Sequence, residues 1–173
     1  TYKGEPLSFL QVDGAKDVGV EVHSLSKGFN MIGWRMGWVC GHPTIVQAYA
    51  DVKDNSDSGQ FMAVQLAAAE ALRHPEIPRD IRAKYERRLR KLVAALKQVG
   101  FACEVPGGTY FLYAAAPVAA SDRTFTTAEE ASQFLIVDQS VCCVPWDDAG
   151  AYLRFSVTYT AADEAAEDDL MAE

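Results

Sequence analysis

A long amphipathic helix dominates the middle of the sequence. Between residues 81 and 99, apolar side chains recur in steps of three and four, which is the spacing of one face of an α-helix. Pro75 and Pro78 separate this segment from the preceding one, and Gly100 supplies a C-terminal stop. The sequence therefore predicts one helix with a single apolar stripe. The stripe consists of Ile81, Tyr85, Leu89, Leu92, Val93, Leu96 and Val99.

The opposite face of this helix is basic. The whole chain carries 24 Asp and Glu against 16 Lys and Arg, a net charge of -8. We therefore interpret the basic run as a solvated helix face and not as a binding patch. The acidic balance has the wrong sign for holding nucleic acid or an anionic membrane, so we expect neither partner. The basic positions are Arg79, Arg82, Lys84, Arg87, Arg88, Arg90, Lys91 and Lys97.

Strand-like and helix-like segments occur on both sides of the long helix. Residues 18–24 are rich in β-branched side chains and indicate a strand, whereas the Ala-rich run 61–72 indicates a helix. After Gly100, residues 101–105 and 109–114 flank a Pro-Gly-Gly turn and predict a hairpin. This mixture predicts an α/β or α+β protein.

The C-terminal third continues the same alternation. Residues 127–130 (TAEE) match a capping box and predict a helix. Residues 141–144 and 152–159 predict two strands. A final acidic helix is expected near Ala161, with Thr160 as its N-cap.

The sequence carries no pattern typical of a membrane span, a signal peptide or a metal site. The sequence has no run of 18 apolar residues and no basic-then-apolar start. We therefore expect a cytoplasmic protein without a membrane span. Cys40, Cys103, Cys142 and Cys143 show no metal-ligand spacing, so we expect four reduced core cysteines and no metal site. Because the chain opens on Thr1 and not on Met, we expect a fragment of a longer protein.

Most of the candidate catalytic and binding residues lie in one segment, Ser24 to Gly37 (SLSKGFNMIGWRMG). Lys27 follows a predicted strand and is framed by apolar and glycine residues. A poorly solvated lysine near another cation is easily deprotonated, so that its neutral amine can attack a carbonyl. The hydroxyls of Ser24 and Ser26 and the guanidinium of Arg35 are suited to binding a phosphate dianion.

This segment resembles the active-site signature of the class I and II aminotransferases, a fold-type-I family that uses pyridoxal 5′-phosphate (PLP). In that signature the lysine holds the cofactor as a Schiff base, and the serine and arginine contact its phosphate. Lys27, Ser24 and Arg35 match the pattern position by position. The resemblance implies PLP as cofactor, Lys27 as the catalytic residue, and Ser24, Ser26, Lys27 and Arg35 as its binding residues.

The resemblance extends into the C-terminal half. Residues 106–111 (PGGTYF) are similar to the glycine-aromatic strand of the family's small domain. Residues 152–156 (YLRFS) are similar to the strand that carries its carboxylate-binding arginine. Arg154 is thereby implied as the substrate anchor, a role that suits a planar guanidinium because it grips a carboxylate with two hydrogen bonds. A surface ion pair is the alternative role for Arg154.

The loop from Asn55 to Gly59 resembles a segment that approaches the neighbouring subunit's active site in the family's dimer. The resemblance therefore implies a homodimer in which Asn55 binds substrate. An ordinary turn rich in Asn and Asp is the alternative interpretation.

The resemblance also implies a domain organisation. Residues 1–75 correspond to the end of the large PLP-binding domain, and residues 76–173 to the connecting helix and the small C-terminal α+β domain. The family's aspartate for the pyridine nitrogen, its cofactor-contacting tyrosine and its glycine-rich phosphate loop are placed before Thr1. We therefore expect the 173 residues alone to be inactive.

The implied reaction moves an amino group between an amino acid and a 2-oxo acid. Three stretches look most like bacterial aminotransferases of the LL-diaminopimelate or aspartate type, namely VEVHSLSKGFNMIGWRMGWVCG, DNSDSGQF and PWDDAGAYLRFSVTY. The resemblance implies a role in lysine biosynthesis or amino-acid metabolism, and alanine or aspartate stays open as the substrate. Two alternatives stay open. One is a PLP-dependent lyase of the same fold, and the other is a non-catalytic, aminotransferase-like effector domain of a transcription regulator.

Overall fold

The computed structural model describes residues 1–148 and 150–172. The helices are α1 (Ala15–Val18), α2 (Leu25–Gly28), α3 (Pro43–Asp54), α4 (Met62–Ala71), α5 (Glu76–Gln98), α6 (Ala128–Gln139) and α7 (Glu164–Ala172). The strands are β1 (Val20–Ser24), β2 (Gly37–Gly41), β3 (Phe111–Ala115), β4 (Ala119–Ala120), β5 (Arg123–Thr124), β6 (Val144–Trp146) and β7 (Tyr152–Ser156). Short 3-10 turns lie at Phe9–Gln11 and Ile32–Trp34. Among the described helices, none is both long and apolar enough to cross a membrane.

The chain divides into two compact units. One is Gly4–Arg82, and the other combines Thr1–Lys3 with Ala83–Glu173. The mixture of helices and sheets confirms the α/β fold class. The division between these units falls within α5, and the domain boundary proposed from the sequence at residues 75 and 76 stays a prediction.

The unit Gly4–Arg82 is built around the antiparallel pair β1 and β2. The pair runs in register from Val20 opposite Gly41 to Ser24 opposite Gly37. The strand begins at Val20 and not at residue 18 as predicted, because the preceding residues close the helical turn α1. Several large apolar side chains of this unit are exposed to solvent: Leu7 is 88% exposed, Val22 81% and Phe61 76%. This exposure is more typical of a surface that another element covers than of a free surface.

The other unit contains a three-stranded antiparallel sheet in the order β3-β7-β6. One face of the sheet is buried, because Leu112, Leu153 and Phe155 join a core with Leu89 and Val93 of α5. The predicted apolar stripe of the long helix is thus confirmed at its buried positions.

The hairpin predicted after Gly100 is wrong. Residues 101–105 form no strand, although Cys103 among them is buried in the core. The strand Phe111–Ala115 pairs instead with Tyr152–Ser156, with Tyr113 opposite Arg154. Long-range pairing prevails over the local turn pattern, because strand formation depends on the neighbours that a side chain packs against.

Several boundaries near the C-terminus also differ from the sequence predictions. The capping box is confirmed in part, since the Thr127 hydroxyl accepts the Glu130 N–H at 3.1 Å. The final helix is capped by Asp163, whose carboxylate accepts the Ala166 N–H at 2.9 Å, and not by Thr160. All four cysteines are free thiols, but Cys142 is exposed, so the prediction of four core cysteines is wrong at that position.

The basic face of α5 is not wholly solvated, because Arg88 is 2% exposed. Its Nε donates to Glu167 of α7 at 2.6 Å, and its Nη1 donates to the carbonyls of Val157 and Tyr159. Glu167 is also 2% exposed and accepts two hydrogen bonds from Arg87. These hydrogen bonds lower the pKa of Glu167 from 4.5 to about 2, and those from Arg87 have the largest effect. The last helix therefore covers the charge of Arg88, which the sequence predicts on a solvated face of the long helix.

We predict that Glu167→Gln lowers the free energy of unfolding by about 3 kcal/mol at neutral pH, because a buried guanidinium loses its counter-charge. The folded-state pKa is depressed, so the carboxylate stabilises fully above pH 4.5 and its contribution is lost as the pH falls towards about 2. Urea unfolding of the full-length protein should show the deficit shrinking between about pH 5 and about pH 3. Glu164→Gln is the control. Its side chain is 66% exposed, so it should cost less than about 1 kcal/mol, and an equal loss in both variants would contradict the prediction.

Candidate functional site

Lys27 lies in the loop that joins β1 to β2. The two ends of this loop are neighbours, because Ser24 pairs with Gly37 and the Leu25 N–H donates to the Met36 carbonyl at 3.2 Å. The side chain of Leu25 is fully buried and anchors the helical turn α2, in which Lys27 is exposed. The fold therefore presents the lysine on a short turn that is fixed at its base.

The polar groups predicted to accompany Lys27 are on the same loop. The Ser24 hydroxyl accepts the Ser26 N–H at 3.1 Å, which leaves its own proton available for another acceptor. The Ser26 hydroxyl has no hydrogen-bond partner among the described residues. Arg35 adopts a left-handed backbone conformation with φ +52°, and its Nη1 donates to the Ile32 carbonyl at 3.0 Å. Its other guanidinium N–H groups have no partner within the described part of the chain.

The donor chemistry of this loop fits PLP. An amine is what a cofactor aldehyde requires, and hydroxyl and guanidinium donors suit its phosphate oxygens. Lys27 would hold the carbonyl carbon, and Ser24, Ser26 and Arg35 would hold the phosphate. The structure brings these four residues together in one loop, and their assignment as cofactor ligands stays a prediction.

The narrow base of the Lys27 loop depends on Gly37. A Cβ atom at this position would lie 2.5 Å from the backbone carbonyl oxygen of His23. Real Cβ atoms do not approach so closely, so a larger residue would force the two strands apart. Gly37 therefore permits the close strand contact that sets the geometry of the loop.

Arg154 belongs to the other unit and lies on the central strand β7. Its neighbours Leu153 and Phe155 are buried in the core, so Arg154 is on the opposite face of the sheet. The guanidinium carbon is 4.5 Å from the centroid of the Phe111 ring and 5.8 Å from that of Trp146. No described carboxylate pairs with Arg154, so the alternative of a surface ion pair has no support. The sequence predictions missed both rings, although aromatic residues at alternate positions of these strands were the available signal.

Asn55 is in the same unit as Lys27, directly after α3. Its side-chain amide donates to the Asp51 carbonyl at 2.7 Å and so closes the end of the helix. This hydrogen bond gives Asn55 a local structural role at the end of α3. A role for Asn55 at a neighbouring subunit's site stays a prediction.

Glu21, His23 and Cys40 place possible metal-ligand atoms within 4.8 Å of one another. The closeness has a simple cause: Glu21 and Cys40 are cross-strand partners, and the His23 Nε2 lies 2.8 Å from a Glu21 oxygen. The other Glu21 oxygen accepts the Ser8 hydroxyl at 2.6 Å and the Leu10 N–H at 3.2 Å. The hydrogen bond from Ser8 is the largest cause, and together with that of His23 it lowers the pKa of the Glu21 carboxyl to about 2. These hydrogen bonds explain the cluster without an ion.

Comparison with known proteins covers nearly the whole chain. The sequence model of the family described as aminotransferase class I and II matches residues 4–170. The LL-diaminopimelate aminotransferase of Methanocaldococcus jannaschii is 53% identical over 163 residues, which are 94% of this chain. That of Methanococcus maripaludis is 52% identical over 162 residues, or 93% of the chain. The chain spans 39% of the length of each of these relatives.

A solved structure shows the same fold. Apo-BacF from Bacillus subtilis superposes with a TM-score of 0.83 at 31% sequence identity. The match covers 99% of this chain and 46% of that structure.

We predict that Gly37→Ala lowers the free energy of unfolding by at least about 2 kcal/mol, because its new methyl group would collide with backbone. Thermal unfolding of the full-length protein measures the effect. Gly33→Ala is the matched control in the same loop. A Cβ at Gly33 meets no atom within 4 Å, so this change should stay within about 0.5 kcal/mol. Equal midpoints for the two variants would refute the role of Gly37.

Proposed function

This chain belongs to the class I and II aminotransferase family, and we propose that its protein transfers an amino group between an amino acid and a 2-oxo acid with PLP as cofactor. The observation that carries the proposal is the Lys27 loop. It combines an amine, two hydroxyls and a guanidinium in the pattern of the family's active-site signature. The family's dependence on PLP agrees with this donor set.

We further propose LL-diaminopimelate as the amino-acid substrate, which would place the reaction in lysine biosynthesis. Support comes from the names of the relatives at 53% and 52% identity, which are more similar to this chain than the superposed structure is. The same names favour amino transfer over elimination by a lyase and over a non-catalytic effector domain.

The residues of this chain divide the proposed work. PLP, when bound, supplies an electron sink that stabilises negative charge at the substrate Cα. Lys27 would hold the cofactor through its amine until the substrate amino group takes its place. The released neutral amine would then take the proton from the substrate Cα as a general base. Arg35 would neutralise part of the phosphate charge, and Ser24, Ser26 and Arg35 together would orient the phosphate through charge-assisted hydrogen bonds. Arg154 binds the substrate carboxylate and so orients the Cα–H bond.

We also propose that the full-length protein is a homodimer. The support is the exposed apolar surface of the unit Gly4–Arg82, to which Leu7, Val22 and Phe61 contribute. Such side chains are expected to be covered by the rest of the longer protein or by a second subunit, and a two-fold arrangement is the commonest among soluble oligomers.

The cofactor assignment predicts that borohydride reduction of the full-length protein fixes PLP on the peptide that contains Lys27. Lys27→Ala should abolish the label. Lys16→Ala, which removes an exposed lysine from another single helical turn, should leave it unchanged. Arg35→Ala should weaken PLP binding by roughly tenfold to a hundredfold, because a charged donor to the phosphate is lost. A label on another lysine would overturn the assignment.

The same preparation separates the reaction classes. Amino transfer requires a 2-oxo acid for continued turnover, whereas a lyase releases product without one. Turnover of LL-diaminopimelate that is independent of added 2-oxo acid would therefore reject the proposed reaction.

The dimer proposal predicts twice the chain mass in sedimentation velocity at micromolar concentration. If Asn55 serves the partner's site, a mixture of inactive Asn55→Ala and Lys27→Ala proteins should regain part of the activity, since mixed dimers contain one intact site. A fully active monomer would refute the dimer. A dimer without complementation would remove Asn55 from the partner's site and leave the dimer proposal intact.

A further inference from the structure

The three-stranded sheet has two chemically different faces. Directly paired residues of neighbouring strands point to the same side, so the register assigns each side chain to a face. Leu112, Leu153 and Phe155 lie on the buried face. The other face carries aromatic side chains around one cation. Its members are Phe111, Tyr113, Ala115, Val144, Trp146, Tyr152, Arg154 and Ser156.

Arg154 is at the centre of this aromatic face. Its direct partners are Tyr113 on β3 and Val144 on β6. Phe111 and Trp146 are diagonal neighbours, one on each flanking strand, and both rings reach the guanidinium. Diagonal positions are within reach of long and aromatic side chains. The cation is therefore held between two rings that come from opposite sides.

This form of support differs from an ion pair in its effect on binding. A guanidinium over an aromatic ring is attracted by the ring electrons, so neither its charge nor its N–H donors are consumed. A protein carboxylate would hold the side chain equally well but would compete with a substrate carboxylate. Within the described residues, no carboxylate pairs with Arg154. The arginine is thus fixed in place while its hydrogen-bonding edge stays available.

Each ring is itself fixed by a neighbour. The Tyr113 ring packs edge-on against Trp146, with centroids 6.0 Å apart and planes at 75°. Tyr110, which packs against the core, contacts Phe111 with centroids 4.5 Å apart. The two rings therefore have defined positions before any ligand binds.

We propose that Phe111 and Trp146 are positioning residues that hold the guanidinium of Arg154 ready for the substrate carboxylate, and so set the affinity for amino acids. The proposal rests on the proposed function, in which Arg154 binds that carboxylate. An arginine side chain loses considerable rotamer freedom when it binds. Rings that order it beforehand reduce this cost at the moment of binding.

Trp146 is the better residue for a test. It lies on β6, which pairs only with β7 among the described strands, and it is 39% exposed. In the full-length protein, Trp146→Leu should raise KM for the amino-acid substrate by roughly fivefold while kcat changes less than about twofold. Trp146→Phe keeps a ring and should restore most of the affinity. Phe111→Leu should act in the same direction as Trp146→Leu.

Calorimetric titration with succinate, a carboxylate that cannot react as an amino donor, gives a second readout, and its Kd should rise in parallel with KM. Val144→Ala is the matched control, because it truncates a direct strand neighbour of Arg154 that contributes no ring. Its KM and Kd should not change. Unaltered KM and Kd in both Trp146→Leu and Phe111→Leu would overturn the proposal.

Arg154→Leu distinguishes failure of the inference from failure of the proposed function. If Arg154 binds the carboxylate, this variant should raise KM by at least about thirtyfold and leave PLP bound. A large effect of Arg154→Leu without an effect of either ring variant would reject the positioning role alone. No effect of Arg154→Leu would reject the substrate role of Arg154, and the positioning role with it.

Discussion

The buried guanidinium of Arg88 joins three parts of the unit that contains the sheet. It links α5 to the backbone that follows β7, through the carbonyls of Val157 and Tyr159, and to α7 through Glu167. A charge removed from water is tolerated only when its donors are satisfied and a counter-charge is near. The carbonyls of Val157 and Tyr159 and the carboxylate of Glu167 meet these requirements for Arg88. The last helix places its Glu167 carboxylate against α5, and the same guanidinium holds the backbone that follows the central strand.

Arg88 and Arg154 show two ways in which one fold holds a guanidinium. Arg88 is neutralised by a carboxylate and saturated with backbone acceptors, so its role is structural. Arg154 is flanked by rings, which order the side chain and leave its charge unpaired among the described groups. Only the second arrangement has binding capacity to spare. The environment therefore distinguishes an arginine whose donors are used within the fold from one whose donors stay available.

The parts of the fold that follow from local patterns were predictable from the sequence. The apolar stripe of α5, the Thr127 cap and the turn that carries Lys27 each depend on residues within a few positions of one another. The pairing of Phe111–Ala115 with Tyr152–Ser156 was not predictable, because it joins segments with α6 and β6 between them in the sequence. The burial of Arg88 and the rings around Arg154 follow from that pairing and from the docking of α7. Such contacts depend on the assembled fold, which a single sequence does not display.

Side chains along β7 alternate between the core and the open face of the sheet, so neighbouring residues are under different constraints. Leu153 and Phe155 fill the core, while Tyr152, Arg154 and Ser156 lie on the open face. A mutation at an open position can change what the face binds without creating a cavity, and a mutation at a core position can alter stability without changing the bound surface. Single substitutions at every second residue can therefore change the chemistry of the open face, while the intervening residues preserve the scaffold.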